Sequence, residues 1–388
     1  MEAVSEILLF LALIWPFLAG GALVASVGPG ANDGGEFRDN DTLRMPFSIS
    51  GLVMSVLNLP FAIYLTIINA STTHFWLVET PLAVVGSVLL SVSLLTECAC
   101  LRAEKYQKYQ PLQYARPYWT TGLVIVAVFL ADPFLKIATL LLASILSVVM
   151  TDRGQGRAVT GWMALRVKAS GALLVLAGLL FPGPASGLLA GAGYAVLGGL
   201  FPVTAFPVEN CDQKPADVRT VCATFRTAAG ALLVAGSLAM HPLSVDGGII
   251  FSTVFIGFGF VTLFVTTLRM QFLTPGYTVR WRQGYNLTQA CLALAAVAAG
   301  LELPEVVCLA LTAPTLTLPW FMSGKTKSDS VRTMRTVERL ACLLPFVTVL
   351  IILYVMAPRS VAMMLALTII VLPAIRRVGR DLLPTETT

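Results

Sequence analysis

The sequence FPVTAFPVENCDQKPADVRTVCATFRTAAG, residues 201–230, places two prolines, a charged loop and an arginine between long apolar segments. Pro202 and Pro207 each remove a backbone donor and disrupt a helix, so the stretch predicts a break in a helix at membrane depth. A proline-kinked helix end is the commoner interpretation of these residues alone. A true break requires backbone that is buried in protein or lines a cavity. Arg226 stands in the next apolar segment, where a charge is costly.

The composition predicts a membrane protein. The chain has 388 residues, of which 56% are hydrophobic and 12% are charged, and its mean hydropathy is +0.81. Soluble proteins carry roughly 25% charged residues. Apolar runs of about 20 residues recur along the chain, and each can cross a hydrocarbon core. We therefore expect an all-α, polytopic membrane protein with a single transmembrane domain over residues 1–388.

The apolar runs predict about thirteen spans. They fall into N-terminal helices (1–75), a first half (76–240) and a second, shortened half (247–388). The halves are expected to hold two inverted five-helix repeats, with breaks at Gly198, Gly199, Pro202 and Pro207 and again at Pro358. The predicted spans are 6–28, 46–69, 76–100, 118–131, 133–150, 160–181, 186–207, 219–240, 247–268, 283–300, 303–322, 340–357 and 360–375.

The basic residues predict the orientation of the chain. All but five of the 26 Lys and Arg fall in the C-terminal tail or in the connections that follow odd-numbered spans. Basic loops stay on the cytoplasmic side. We therefore expect the N-terminus outside and the C-terminus in the cytoplasm, in what we predict to be the bacterial inner membrane. The five exceptions are Lys136, Arg166, Lys168, Arg226 and Arg359.

Motifs for metal, cofactor or nucleotide chemistry are missing from the sequence. Cys98 and Cys100 are too close in sequence for a good zinc pair, and His74 and His241 have no second ligand nearby. No phosphate-binding loop, zinc-protease helix or nucleophile elbow occurs. We therefore expect no metal and no cofactor, and the sequence gives little support to a membrane-embedded enzyme.

Seven stretches, in order, resemble one family. The opening stretch, with its FP pair and its RTAAG run, resembles the broken helix and the following helix of the antiporter-like membrane subunits of respiratory complex I. Related subunits occur in membrane hydrogenases, multi-subunit cation/proton antiporters and an inorganic-carbon uptake complex. The other stretches are VETPLAVVGSVLLSVSLL (78–95), VFLADPFLKIATLLLAS (128–144), MALRVKASGALLVLAG (163–178), VRWRQGYNLTQACLAL (279–294), CLALTAPTLTLPWFMSG (308–324) and SDSVRTMRTVERLACLLP (328–345).

The resemblance also implies a chain of ionisable residues along the middle of the membrane, and this sequence departs from it. The positions that match the family's glutamate, lysines and histidines hold Leu142, Leu197, Cys308, Thr312, Leu316 and Leu365. Only Arg226 and Lys168 keep a charge. Leucine cannot pass a proton, and arginine stays protonated.

Two further charges leave alternatives open. Asp132 is either the displaced acid of the fifth helix or, as we favour, an interfacial residue that pairs with Lys136 one turn later. Glu79 marks the start of the family's acidic-start helix. Together with Arg226 and Lys168, these residues are the candidate ion-path or structural charges.

These features predict a non-catalytic, antiporter-like subunit of a larger ion-translocating complex, redox- or gradient-coupled, that acts as a scaffold or electrostatic element. Its partners would be other membrane subunits and lipid, and neither nucleic acid nor metal. The alternative is a functional ion, proton or anion transporter in its own right. The scarcity of paired acids in the spans argues against cation transport.

Overall fold

The computed structural model describes residues 2–25, 41–68, 72–74, 77–102, 111–149, 155–200, 215–240, 245–272 and 279–323. These residues are mostly helical. Six of the described helices are long and apolar enough to cross a membrane. The protein is therefore an integral membrane protein built mainly from helices. The predicted spans 340–357 and 360–375 and the prolines 202, 207 and 358 lie outside the described residues, as does the part of the second half that follows residue 323.

Twelve helices and one short hairpin make up the described part of the chain. The hairpin consists of β1 (Thr72–His74) and β2 (Leu77–Glu79). The helices are α1 (Glu2–Ala25), α2 (Asp41–Val56), α3 (Leu59–Ile67), α4 (Pro81–Arg102), α5 (Pro111–Phe129), α6 (Pro133–Val149), α7 (Gln155–Leu180), α8 (Pro184–Leu197), α9 (Pro215–Met240), α10 (Val245–Phe272), α11 (Val279–Gly300) and α12 (Pro304–Ser323).

The hairpin corrects the all-α prediction. Residues 76–100 were expected to form one helix, but Thr73 pairs with Val78 in an antiparallel ladder and Leu77 also bridges to Leu130 at the end of α5. Pro81 begins α4, because a proline is favoured at the first position of a helix. The Thr80 hydroxyl caps that turn by accepting the backbone N–H of Ala83 at 3.2 Å.

Several other helix boundaries differ from the predicted ones. The single span 46–69 is two helices, α2 and α3, because Pro60 in the first turn of α3 favours a new helix start. Both α2 and α5 begin earlier than expected, so Arg44 and Arg116 are buried helix residues instead of loop residues. The span 186–207 ends as a helix at Leu197, before Pro202.

Helix α9 forms the centre of the described bundle. The apolar part of α9, Val221–Leu238, is 83% buried, far more than the other long spans. It packs against α4, α5, α6, α8, α10, α11 and α12. Helix α11 is similarly enclosed, and its run of small residues from Ala290 to Ala299 is almost fully buried. Small side chains let helices approach closely, which is how helices associate in lipid.

Close approach also decides how α8 packs against α10. A Cβ atom added to Gly187 on α8 would overlap the backbone carbonyl of Gly247 on α10. The neighbouring contact is aromatic, since Tyr194 on α8 meets the ring of Phe251 on α10 edge-on, with the ring centroids 6.4 Å apart. Only glycine leaves room for this contact between two backbones.

We predict that Gly187→Ala destabilises the protein by about 1–3 kcal/mol, the usual cost of adding a methyl group to a packed interior. The added Cβ faces a backbone oxygen, which cannot move aside as a flexible side chain could. The measurement is the thermal unfolding of the full chain purified in mild detergent.

The matched control is Gly257→Ala on α10, where the added Cβ meets open space. This variant should unfold at the same temperature as the parent chain or slightly above it, because alanine favours a helix by about 1 kcal/mol over glycine. Equal stability of the two variants would show that α8 and α10 do not approach as described.

Candidate functional site

A buried arginine lies in the middle of the central helix. Arg226 is fully buried, and it follows Pro215, the first residue of α9, by about 16 Å along the helix axis at 1.5 Å per residue. At that depth a guanidinium cannot reach water, and hydrocarbon offers it no hydrogen bonds. Its position therefore requires a partner inside the protein.

That partner is Glu97 on α4. An Nη1 atom of Arg226 lies 2.5 Å from Oε2 of Glu97, and both side chains have no exposed surface. The two helices run antiparallel, since Gly86 on α4 faces Leu233 on α9 at the other end of the contact. A charge-assisted hydrogen bond is among the stronger ones a protein makes. The pair thus fixes both the register and the direction of α4 against α9.

The ion pair leaves polar atoms without partners among the described residues. They are Nε and Nη2 of Arg226 and Oε1 of Glu97. Thr120 on α5 also has a buried hydroxyl with no partner among the described residues. Unsatisfied buried polar groups are costly, and proteins commonly satisfy them with internal water.

Helix register places Thr120 beside the ion pair. Val124 on α5 faces Gly230 on α9. Both helices run antiparallel to α4, because Tyr118 at the start of α5 contacts Cys98 near the end of α4. Helices α5 and α9 are therefore parallel, and the residues one turn before this contact, Thr120 and Arg226, lie at the same level.

A second polar cluster lies next to Glu97 and joins three helices. The Tyr118 hydroxyl donates to the Arg44 carbonyl on α2 at 2.7 Å and lies 2.9 Å from the Ser48 hydroxyl. The Ser48 hydroxyl also lies 3.3 Å from the sulfur of Cys98. These contacts hold the end of α4 that carries Glu97 against α2 and α5.

The other buried cation stabilises the end of a short helix. Lys168, in the middle of α7, is almost fully buried and donates to the carbonyl oxygen of Leu197, the last residue of α8. A left-handed turn at Gly199, with φ of 73°, ends α8. Within that turn the Leu200 N–H donates to the Ala195 carbonyl at 2.9 Å. An ammonium group at the carbonyl end of a helix also complements the helix dipole.

Helix α8 is too short to cross the bilayer. It has 14 residues, about 21 Å at 1.5 Å per residue, against a hydrocarbon thickness of about 30 Å. Its last carbonyls therefore end within the membrane and need donors from the protein. Lys168 supplies one of these donors to the Leu197 carbonyl. Leu197 is the position at which the resemblance implies a lysine.

The remaining candidate charges lie apart from the ion pair. Asp132 caps α6, since its Oδ1 accepts the backbone N–H of Phe134 at 3.1 Å. The expected pairing of Asp132 with Lys136 is wrong, because no ion pair joins these two described residues. The cap commits the aspartate to the helix end instead. Glu79 is fully buried in β2, at the opposite end of α4 from Glu97.

The mapped relay positions are not all interior. Leu142, matched to the family's glutamate, is 46% exposed on the outer face of α6, whereas Ser144 and Ser147 on that helix are buried. The assignment of Leu142 to an interior relay position is therefore wrong. Leu142 and Ser144 are two positions apart, which is a rotation of about 200° around the helix, so they face nearly opposite sides. Leu197 and Cys308 are buried. Leu316 is half-buried, and the structure does not describe Leu365 or the side chain of Thr312.

Sequence reasoning missed Glu97, although the sequence holds a signal for it. Glu97 is the one charged residue between Glu79 and Arg102 in an otherwise uncharged helix. An ionisable residue inside a span predicts a functional or pairing role and should be matched to an opposite charge. As for metals, no three His, Cys, Asp or Glu side chains of the described residues come together to hold an ion.

The fold resembles that of a chain in a solved respiratory assembly. A chain of respiratory complex I from Thermus thermophilus, solved with bound aureothin, superposes with a TM-score of 0.68. The match covers 97% of this chain and 91% of that chain, at 12% sequence identity. Scans against protein-family models and against curated proteins find no match. At this identity the likeness establishes a complex I-like membrane fold.

We predict that Glu97→Leu or Arg226→Leu alone destabilises the protein by about 3–5 kcal/mol, because each leaves a buried charge without its partner. The double variant, Glu97→Leu with Arg226→Leu, should be more stable than either single variant, since it leaves no buried charge. Thermal unfolding of all four proteins in detergent gives the coupling energy.

Arg226→Lys is the conservative control, because it keeps the charge while losing the planar guanidinium. The stability of Arg226→Lys should lie between that of the parent chain and that of Arg226→Leu. Additive losses in the double variant would contradict direct pairing of Glu97 with Arg226.

We also predict that Lys168→Met destabilises the protein by about 1–3 kcal/mol, because the Leu197 carbonyl loses its donor in a dry environment. The control is Arg166→Met on the same helix, which removes an equal charge from an exposed position. Hydrogen exchange at the end of α8 should rise in Lys168→Met only. Equal exchange in both variants would show that Lys168 does not stabilise that helix end.

Proposed function

We propose that this chain is a non-catalytic, antiporter-like membrane subunit of a larger ion-translocating complex, in which it serves as a scaffold. The complex I-like fold over nearly the whole chain supports membership of such an assembly. The proposal places the chain in a bacterial inner membrane, with its N-terminus outside, its C-terminus in the cytoplasm and sister subunits and lipid around it.

One observation carries the scaffold role: the buried charges are used to hold helices. Arg226 is bound to Glu97, and Lys168 is bound to the Leu197 carbonyl. A relay needs groups that can release and accept protons in sequence. Leu197 and Cys308 stand at two of the positions that such a relay would use, and both are buried.

A second candidate function, ion or proton transport by the chain itself, has one observation in its favour. Glu97, Arg226 and Thr120 each have a buried polar atom without a partner among the described residues, and internal water is what satisfies such atoms in proteins. A hydrated acid could then exchange a proton. The groups beside it among the described residues are Arg226, Cys98 and the Tyr118 hydroxyl. They are not a series of acids, lysines and histidines, which weighs against a continuous path across the membrane.

Purification from the natural host distinguishes the two functions. The chain carries an affinity tag at its C-terminus and is extracted in mild detergent. We expect other membrane subunits to co-purify with it, because the scaffold role requires them, and a soluble redox arm as well if the complex is redox-coupled. Membranes from isotope-labelled, untagged cells are mixed in before extraction, so that proteins acquired after lysis are recognised by their label.

A lone chain or homo-oligomer that dissipates a pH gradient in proteoliposomes would favour the transport function instead. If that leak also disappears in Glu97→Gln, the acid beside Arg226 is part of the path. A chain that neither co-purifies with other subunits nor moves ions would contradict both functions.

A further inference from the structure

One charged side chain faces outward from the apolar part of the bundle. Arg166 lies on α7 and is exposed, and it makes no hydrogen bond or ion pair with any described residue. In the six long spans, every other charged residue is buried or stands at the first or last position of its span. Charged residues in spans almost always face the bundle interior or a partner. Arg166 therefore has no counter-charge among the described residues, and what lies beside α7 must satisfy it.

The residues around Arg166 form a continuous seam along α7. The seam consists of residues spaced alternately three and four apart, so they share one face of the helix. Met163, Leu173 and Leu180 are 62%, 66% and 69% exposed. The α7 seam is Met163, Arg166, Ser170, Leu173, Ala177 and Leu180.

The spacing of the seam fits a helix better than lipid. Ser170 and Ala177 are small and stand seven residues apart, the pattern by which two helices in a membrane approach closely. Ser170 lies about 13.5 Å beyond Gly161, where the apolar span begins, at 1.5 Å per residue. That is near the middle of a hydrocarbon core about 30 Å thick, so the small residues of the seam lie at the depth of the lipid chains.

The chemistry of the seam also indicates what its partner carries. An arginine in low dielectric binds a carboxylate through two parallel hydrogen bonds. Trp162, which is 60% exposed beside Arg166, adds a second residue type that is enriched, with arginine, at the centres of protein interfaces. A partner helix would therefore place an Asp or Glu opposite Arg166 and apolar side chains along the rest of the seam.

We propose that the α7 seam is the docking surface for a transmembrane helix of a neighbouring subunit, and that this helix carries an Asp or Glu that pairs with Arg166. The inference rests on the proposed membership of a larger membrane complex, and it assigns one face of the chain to that contact. Arg166 would thus bind a neighbouring subunit, whereas Arg226 and Lys168 bind groups inside the bundle.

Site-specific photo-crosslinking in the natural host tests the contact. A photoreactive amino acid replaces Met163 or Leu173 on the seam. In the control proteins it replaces Ile249 or Phe264, which are exposed on α10. We expect the seam positions to yield one crosslinked peptide from another membrane subunit, apolar and containing an Asp or Glu. Crosslinks to lipid only, to a second copy of this chain, or equally from α10 would overturn the proposal.

Charge reversal then tests the pairing itself. Arg166→Glu should reduce the recovered complex at least about tenfold, since loss of a desolvated charge pair exceeds the energy of a tenfold change. Replacing the partner's carboxylate by arginine in that background should restore recovery. Arg166→Glu that leaves recovery unchanged would contradict the pairing. The matched control is Arg269→Glu, an exposed arginine at the end of α10, which should assemble normally.

The outcomes separate this inference from the proposed function. If the chain co-purifies with other subunits but the seam crosslinks only to lipid, the docking role of the α7 seam is wrong and the proposed function stands. If the chain purifies alone, the proposed function fails and the seam has no subunit to bind. Arg166→Leu should leave the unfolding of the purified chain unchanged, so that lost assembly is not a folding defect.

Discussion

The bundle depends on the rule that a charge inside a membrane must find its partner within the protein. Arg226 on the central helix and Glu97 on α4 satisfy this rule for each other. Their pairing fixes the register of α4 against α9, and the nearby Tyr118, Ser48 and Cys98 contacts then fix α2 and α5 against α4. Removing one partner costs far more than removing both. The pair therefore acts mainly on specificity, as it excludes registers that separate the two charges.

The same rule explains Lys168. A helix that ends inside the hydrocarbon leaves carbonyls without donors, and in lipid nothing else can satisfy them. The lysine of α7 reaches the last residue of α8, where the chain turns through Gly199. A lysine on α7 thus stabilises the end of α8.

Local patterns in the sequence were sufficient for much of the fold. Apolar runs identified the helices, and the glycines before Pro202 identified where α8 ends. Long-range pairing was harder, because nothing local to Arg226 indicates that its partner is Glu97. Register errors came from counting along motifs: Leu142 was assigned an interior role, yet a helix turns by 100° per residue and this side chain faces outward. The β1–β2 hairpin was missed because three-residue strands carry no periodicity.

The distribution of charge relates the interior of the bundle to its surface. Glu97 and Arg226 cancel each other, and Lys168 rests on a helix end of opposite polarity. The carboxylate of Glu97 therefore neutralises Arg226, whereas Lys168 keeps its charge and is committed to the end of α8. Arg166, by contrast, faces outward with no compensating charge among the described residues. The positive charge of Arg166 therefore acts on the molecule that lies beside α7. A chain that commits these interior charges to contacts between its helices and presents one outside is better suited to binding a neighbouring helix than to conducting ions through its own centre.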